Sequence, residues 1–236
     1  MKPFLYMISI VIPTYNEAAI IEKLLCYLQL HGAGHIAEII VVDGGSDETL
    51  DLVKKKDVMA ITATTKGRAA QMNQGAAMAK GNILYFVHAD TLPPKSFATD
   101  IELAIKNSFG FGRFCTQFDS KSKLLKANAF FTKLDLFVCY GGDQTLFITQ
   151  KLFTEIGGFN ANLKVMEDYD ITTRAKQKAK YKIIKKNVLV SARKYEKNSW
   201  WQVQKANYII VQMYKKGACQ QEMIAKYQSL LTINNY

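Results

Sequence analysis

Hydrophobic and polar positions along this chain alternate between two periods. Short, mainly apolar runs at Ile8 to Ile12, Ile36 to Val42, Val58 to Ile61 and Ile83 to Val87 are rich in Ile and Val and have the length of strands. Stretches with helical spacing sit between and after them, at about 17 to 31, 47 to 56, 68 to 80 and 94 to 107. That order predicts parallel βαβ units joined by right-handed crossovers. Pro93-Pro94 suits the opening of a helix, and Gly81 the stop of the one before it. After residue 107 the pattern changes. "FGFGRFCTQF" reads as a strand interrupted by Gly110 and Gly112, followed by a helix over about 121 to 137. "CYGGDQTLFIT" is a glycine-containing loop running into a strand, with a short helix ending at Gly157-Gly158. Residues 167 to 180 are helical, "YKIIKKNVLV" forms one strand or two, and 197 to 231 one or two amphipathic helices. With no repeat and no low-complexity linker, the expected organisation is one domain over 1–196 and a helical extension over 197–236.

Composition narrows the class. A chain of 236 residues with 49% hydrophobic content can bury a full α/β core. Its first apolar run passes straight into a polar motif without a small-residue cleavage site, so it reads as a strand rather than a signal peptide. No window holds 18 uninterrupted apolar residues. Cys26, Cys115, Cys139 and Cys219 are widely spaced without a CxxC pair, which points to free thiols in a reducing cytoplasm.

Charge is uneven. Residues 1–150 hold 15 Lys and Arg against 14 Asp and Glu, whereas 151–236 hold 16 against 6, which together give the net +11. The basic tail also carries Trp200, Trp201, Tyr208, Tyr214 and Tyr227, a mixture suited to an anionic membrane surface or phosphate-bearing ligands. A stripe of Trp201, Ala206, Ile209, Ile210 and Met213 can instead dock the tail on the main domain, which is the favoured reading. Peripheral contact with the inner face of the membrane stays open as an alternative.

Acidic residues stand where the apolar runs end: Glu17 after "ISIVIPTYN", Asp43 after "IAEIIVV", Asp90 after "ILYFVHA", and Glu167, Asp168 and Asp170 in "VMEDYD". In an open sheet the carboxyl ends of parallel strands face one crevice, so these acids converge and can hold a divalent metal, a sugar or a ribose. Each also has a plainer use: Glu17 and the Glu167-Asp168 pair can favour a helix N-terminus, and Ser46 or Asp47 can cap one. No GxxxxGK[ST] loop is present, and "HGAGHIAE" lacks the third glycine of a dinucleotide fingerprint, so a nucleotide must be held otherwise.

Five ordered motifs, "IVIPTYNE", "EIIVVDGGSDET", "KGRAAQMNQGAAMAKGNILYFVHADT", "GGDQTLFITQKLFTEIGGFN" and "MEDYDITTRAK", together resemble the inverting family 2 glycosyltransferases, over roughly residues 8 to 195. The nearest likeness is to a small soluble subgroup with "GRAxQMNxGA" and "HADT" signatures. The resemblance implies a GT-A type fold, a mostly parallel sheet flanked by helices with a Rossmann-like nucleotide-sugar half. It implies transfer of a sugar from a nucleotide-diphosphate sugar to a hydroxyl acceptor, which can be lipid-linked, with Mn²⁺ or Mg²⁺ as cofactor. It also implies roles. Pro13, Tyr15 and Glu17 line the nucleoside, with Glu17 near the ribose, and Asp43 contacts base or ribose alone, because Gly44 replaces a second Asp common in the family. Arg68 pairs with a phosphate or lies against the base, and Gln71, Asn73 and Gln74 form a functional helix face. His88, Ala89 and Asp90 stand where Asp-x-Asp is typical, so Asp90 is the metal ligand and His88 a departure. Asp143 and Gln144 are candidate sugar contacts, in a segment that could equally be a hairpin turn, Arg193 reaches the diphosphate, and Asp168 is the base with Glu167 orienting it or the acceptor. The processive members' Gln-x-x-Arg-Trp motif is missing, which argues against a polysaccharide synthase. Two other readings are a nucleotidyl- or phosphoryl-transferring relative and a non-catalytic basic protein on membranes or nucleic acid. Acids at strand ends disfavour nucleic acid as a partner.

Overall fold

The computed structural model describes residues 6–141 and 144–232. In chain order the elements are β1 (Ile8–Thr14), α1 (Ala18–Gly32), β2 (Ile36–Asp43), α2 (Thr49–Lys54), β3 (Met59–Thr62), α3 (Arg68–Met78), β4 (Ile83–Phe86), β5 (Thr91–Leu92) and α4 (Phe97–Lys106). There follow β6 (Phe111–Phe118), α5 (Lys123–Phe131), β7 (Leu146–Thr149), α6 (Gln150–Glu155), α7 (Glu167–Lys176), β8 (Tyr181–Val190), α8 (Arg193–Lys197), α9 (Trp200–Lys215) and α10 (Gln220–Leu230). The strands form one eight-stranded sheet in the order β3-β2-β1-β4-β7-β6-β8-β5. The β3-β2-β1-β4 part is wholly parallel, as the βαβ spacing predicts. Beyond β4 the sheet is mixed: β7 runs antiparallel to β4 and β6, and β8 lies parallel to β6.

Both faces of the sheet are covered. Ile8, Ile10 and Ile12 point to one side and pack with Leu24, Leu25, Leu28, Phe97 and Ile101 of α1 and α4. Val11, between them in sequence, points to the other side and packs with Met72 and Ala76 of α3 and Ile171 of α7. Strands buried on both faces need continuous apolar runs, which is why the sequence shows them unbroken.

Two expectations are corrected. Gly112 does not interrupt its strand. It lies inside β6, where a Cβ would meet the Lys182 carbonyl oxygen at 2.1 Å and the Phe147 ring at 2.6 Å, so glycine lets three strands crowd together. The helix expected to reach 137 stops at Phe131, because Arg113 of β6 donates to the carbonyls of Thr132 (2.7 Å) and Leu134 (3.1 Å) and draws the chain back to the sheet.

The last two helices pack against the body. Ile210, Val211 and Met223 share an apolar cluster with Tyr140, Met166 and Tyr169, while Trp201 and Tyr208 point outward. Ala206 and Ile210 of the expected stripe are buried, but Trp201 is exposed because the buried line runs through Val203, Ala206, Ile210 and Val211. Among the described residues no helix is long and apolar enough to cross a membrane.

Candidate active site

The carboxyl ends of β1 and β2 are tied into a rigid floor. Thr14 Oγ1 donates to Asp43 Oδ1 at 2.7 Å, and Asp43 is 4% exposed. The buried Gln71 amide donates to the carbonyls of Thr14 and Val42, both at 2.8 Å. A Cβ at Gly44 would sit a tight 3.3 Å from Nε2 of the Gln71 amide, which these two hydrogen bonds hold in place. Gly45 serves the neighbouring loop, since its Cβ would meet Asn16 N at 2.6 Å. Asn16, with φ of 56°, accepts from Ser46 N at 2.9 Å, and Asp47 Oδ2 accepts from Ala18 N at 3.1 Å at the start of α1. Burial tends to raise the Asp47 pKa, yet the hydrogen bonds from Thr49 and Ala18 outweigh it and hold the carboxyl below its ordinary value.

The helix face expected to be functional is a brace. Besides Gln71, Asn73 exchanges two hydrogen bonds with the Phe159 backbone (2.7 and 2.9 Å), and Gln74 accepts from Thr64 N and donates to the Thr62 carbonyl, both at 3.0 Å. Their amides are spent on the backbone that frames α3.

Beside this floor two sets of ionic contacts join five of the expected residues. Arg193 donates to both Glu17 oxygens, at 2.5 and 2.8 Å, and its Nη2 lies 3.3 Å from Asp90 Oδ2. Strand pairing brings this about: β5 follows Asp90 directly and pairs with the end of β8, so Ser191 N donates to the Asp90 carbonyl at 3.1 Å. Glu17 makes no side-chain cap at α1. Nearby, Arg68 Nε lies 2.6 Å from Glu167 Oε1, across from α3 to α7, and Lys164 Nζ donates to the Lys66 carbonyl at 2.7 Å. Glu167 is 1% exposed and ion-paired with this arginine, a contact that joins the starts of α3 and α7. Burial first, and the Arg68 charge second, lower the His88 pKa to about 3 and keep its imidazole neutral. Half-buried Tyr15 has the Lys66 ammonium 5.9 Å from its ring centroid.

Asp168 follows Glu167 in α7 but faces elsewhere. With Gln144 it lines a cavity of about 20 Å³ together with Arg113, Tyr140, Thr145 and Tyr181. Met166 turns the chain there with φ of 72°, a left-handed conformation that is uncommon for a non-glycine residue. Gln220 of α10 supports this turn by accepting from Lys164 N (2.9 Å) and Val165 N (3.2 Å). Gln144 Nε2 donates to the Cys139 carbonyl, while its buried Oε1 lacks a partner among the described residues. Asp143 lies outside the described residues. Asp170 pairs with Arg174 at 2.5 Å and stays apart from the crevice. Sequence reasoning missed Arg113 and Tyr181 beside Asp168; the one signal was a lone arginine inside an apolar strand. A larger hollow, about 390 Å³, lies along Gly157 to Ala161 beside Arg174 and includes none of the expected residues.

The model of the family named Glycosyl transferase family 2 matches residues 9–162. The chain belongs to this family. It is 30% identical over 190 residues to the PGL/p-HBAD biosynthesis glycosyltransferase of Mycobacterium bovis, covering 71% of this chain and 69% of that relative. Its fold is similar to that of mannosyltransferase PcManGT from Pyrobaculum calidifontis in complex with GDP-Man and Mn²⁺, with a TM-score of 0.67, 17% identity and coverage of 91% of this chain and 65% of that one. It is also similar to S. aureus TarS 1-349 in complex with UDP, with a TM-score of 0.64, 19% identity and coverage of 79% of this chain and 60% of that one. The chain thus spans less than two thirds of either solved protein. As a family 2 glycosyltransferase it is a transferase of GT-A architecture. The family match takes in every expected donor-side residue except Arg193, and stops short of Glu167 and Asp168.

Proposed function

We propose that this glycosyltransferase moves a sugar from a nucleotide-diphosphate sugar to a hydroxyl acceptor in one inverting step, with a divalent metal at Asp90 and Asp168 as the base. The observation that carries the reading is the Glu17–Arg193–Asp90 clasp at the mouth of the parallel strands. Two carboxylates there already hold a cation, and a guanidinium that can pair with phosphate is the residue holding them. Among the described residues no three His, Cys, Asp or Glu side chains gather to hold an ion. That suits a hard cation that takes one carboxylate from the protein and its other oxygens from diphosphate and water. Bound Mn²⁺ or Mg²⁺ would offset the charge developing on the departing diphosphate.

The chain's own residues do the rest. Tyr15, Glu17 and Asp43 border the nucleoside on the braced floor, and Arg193 exchanges its acids for phosphate oxygens. Asp168, at the first turn of α7, takes the acceptor proton. Arg113 beside it anchors the cavity wall, and Glu167 and Arg68 fix how far α7 stands from α3. Solved relatives in complex with GDP-Man and Mn²⁺ and with UDP support the donor class.

Thermal shift with UDP-, GDP- and dTDP-linked sugars, each with and without Mn²⁺, tests this. Stabilisation by one donor class that depends on the metal is expected. A protein stabilised by RNA and by no nucleotide sugar would return the site to the binding-protein reading.

A further inference from the structure

α5 reverses the usual helix pattern. Its inward side carries Leu125, 3% exposed, while Leu124, Ala127, Phe130 and Phe131 point to solvent, with Leu124 43%, Phe130 59% and Phe131 51% exposed. At 100° per residue these four fall on one side of the helix. The chain beyond it adds Leu134, Leu136 and Val138, all exposed. An apolar stretch of this length turned to water marks a contact surface.

Its charges say what it meets. Lys121, Lys123, Lys126 and Lys133 are interleaved with the apolar residues and exposed, and Lys133 Nζ lies 5.4 Å from the Phe130 ring centroid. The single acid of the segment, Asp135, is neutralised by Lys176 at 2.6 and 2.7 Å. Apolar side chains ringed by lysines match the layered chemistry of an anionic bilayer surface, with acyl chains for the rings and headgroups for the ammonium groups. A second copy fits poorly, since it would set these lysines against their own kind in a chain of net charge +11.

We propose that α5 and the loop to Val138 dock this protein on an anionic membrane surface. The segment runs directly into Tyr140, which lines the Asp168 cavity, so docking would turn that cavity toward the bilayer. The outward Trp201 and Tyr208 of α9 are the rival contact.

Cosedimentation of the full chain decides it, using phosphatidylcholine vesicles with or without about a quarter phosphatidylglycerol. Binding to the anionic vesicles that fades at about 0.5 M salt is expected. The double variant Phe130→Ser, Phe131→Ser should lose on the order of tenfold in partitioning while melting like the parent, because both rings are already solvated. Lys123→Glu with Lys126→Glu should lose anionic selectivity. Absence of binding at low salt overturns the proposal. So does binding abolished by Trp201→Ser with Tyr208→Ser and untouched by the Phe130 and Phe131 changes. A concentration-dependent dimer, dissolved by the Phe variant and without vesicle binding, assigns the face to self-association instead and equally defeats it.

Discussion

At the ends of β1 and β2 the polar side chains bond mainly to backbone, whereas at the ends of β4 and β8 and the start of α7 the charged side chains pair with one another. Gln71, Asn16 and Asp47 bond to the backbone of neighbouring segments, and Thr14 donates to the Asp43 carboxylate, so that two of these four contacts are neutral and two involve a carboxylate. Across the crevice the contacts are ion pairs: Arg193 with Glu17 and Asp90, Arg68 with Glu167. Loops closed by backbone hydrogen bonds keep one shape whether or not a ligand is present. The Arg193 pairs lie near solvent, where ion pairs are individually weak and can be traded for an anionic ligand at little net cost, whereas the buried Arg68–Glu167 pair sets the spacing of α3 and α7. The difference teaches that one wall of the crevice is finished before a ligand arrives, while the other is held in reserve by contacts that phosphate and metal can replace.

The largest expected effect lies on the exchangeable wall. Asp168→Asn should lower transfer by roughly two to four orders of magnitude, the usual scale for removing a general base, while donor affinity stays near that of the parent. Transfer within about threefold of the parent would move the base elsewhere and leave Asp168 a cavity-lining residue. Next comes Asp90→Asn, which should weaken Mn²⁺-dependent donor binding by about ten- to a hundredfold without shifting the melting temperature. Calorimetry with donor and Mn²⁺ checks it, and unchanged metal dependence would place the ion away from β4. On the finished wall the effect should be on folding instead. Gln71→Leu leaves the Thr14 and Val42 carbonyls short of a donor and should cost about 1–3 kcal/mol in urea unfolding. A loss of activity at full stability would show that Gln71 touches ligand after all.

How far the sequence reveals this contrast depends on the kind of contact. The parallel half was legible because each buried strand is an unbroken apolar run and each crossover a helix-period stretch, so Ile8 to Ile12 and Ile83 to Val87 became β1 and β4 within a residue or two. The crevice acids were legible because they stand where those runs end. What was not legible is the partner of each polar group. Gln71, Asn73 and Gln74 have the same amides whether they face a sugar or a carbonyl, and only tertiary packing decides between the two. Arg193 meets Glu17 across 176 residues through the pairing of a two-residue strand, for which no local pattern exists. The early end of α5 likewise comes from Arg113, a residue on another element that removes two carbonyls from the helix path.

The smallest expected effect belongs to Asp47, which serves two helices at once: Oδ2 accepts from Ala18 N at the head of α1, and Oδ1 accepts from Thr49 N (3.0 Å) at the head of α2. Losing such a cap costs about 1 kcal/mol, and the exposure of Asp47 keeps the figure at that scale or below. Its carboxyl is lowered from the ordinary 3.8 in the folded protein, so the folded state holds the charged form more firmly than the unfolded one does. The contribution is therefore complete above that ordinary value and is lost as pH falls through the lowered one. Asp47→Ala should melt below the parent at neutral pH, and the gap should narrow only once the pH drops under 3.8. Denaturation of both proteins across the acid range measures this. A gap that is constant down to the acid limit would mean that Asp47 acts through neutral packing, and that the finished wall owes nothing to charge.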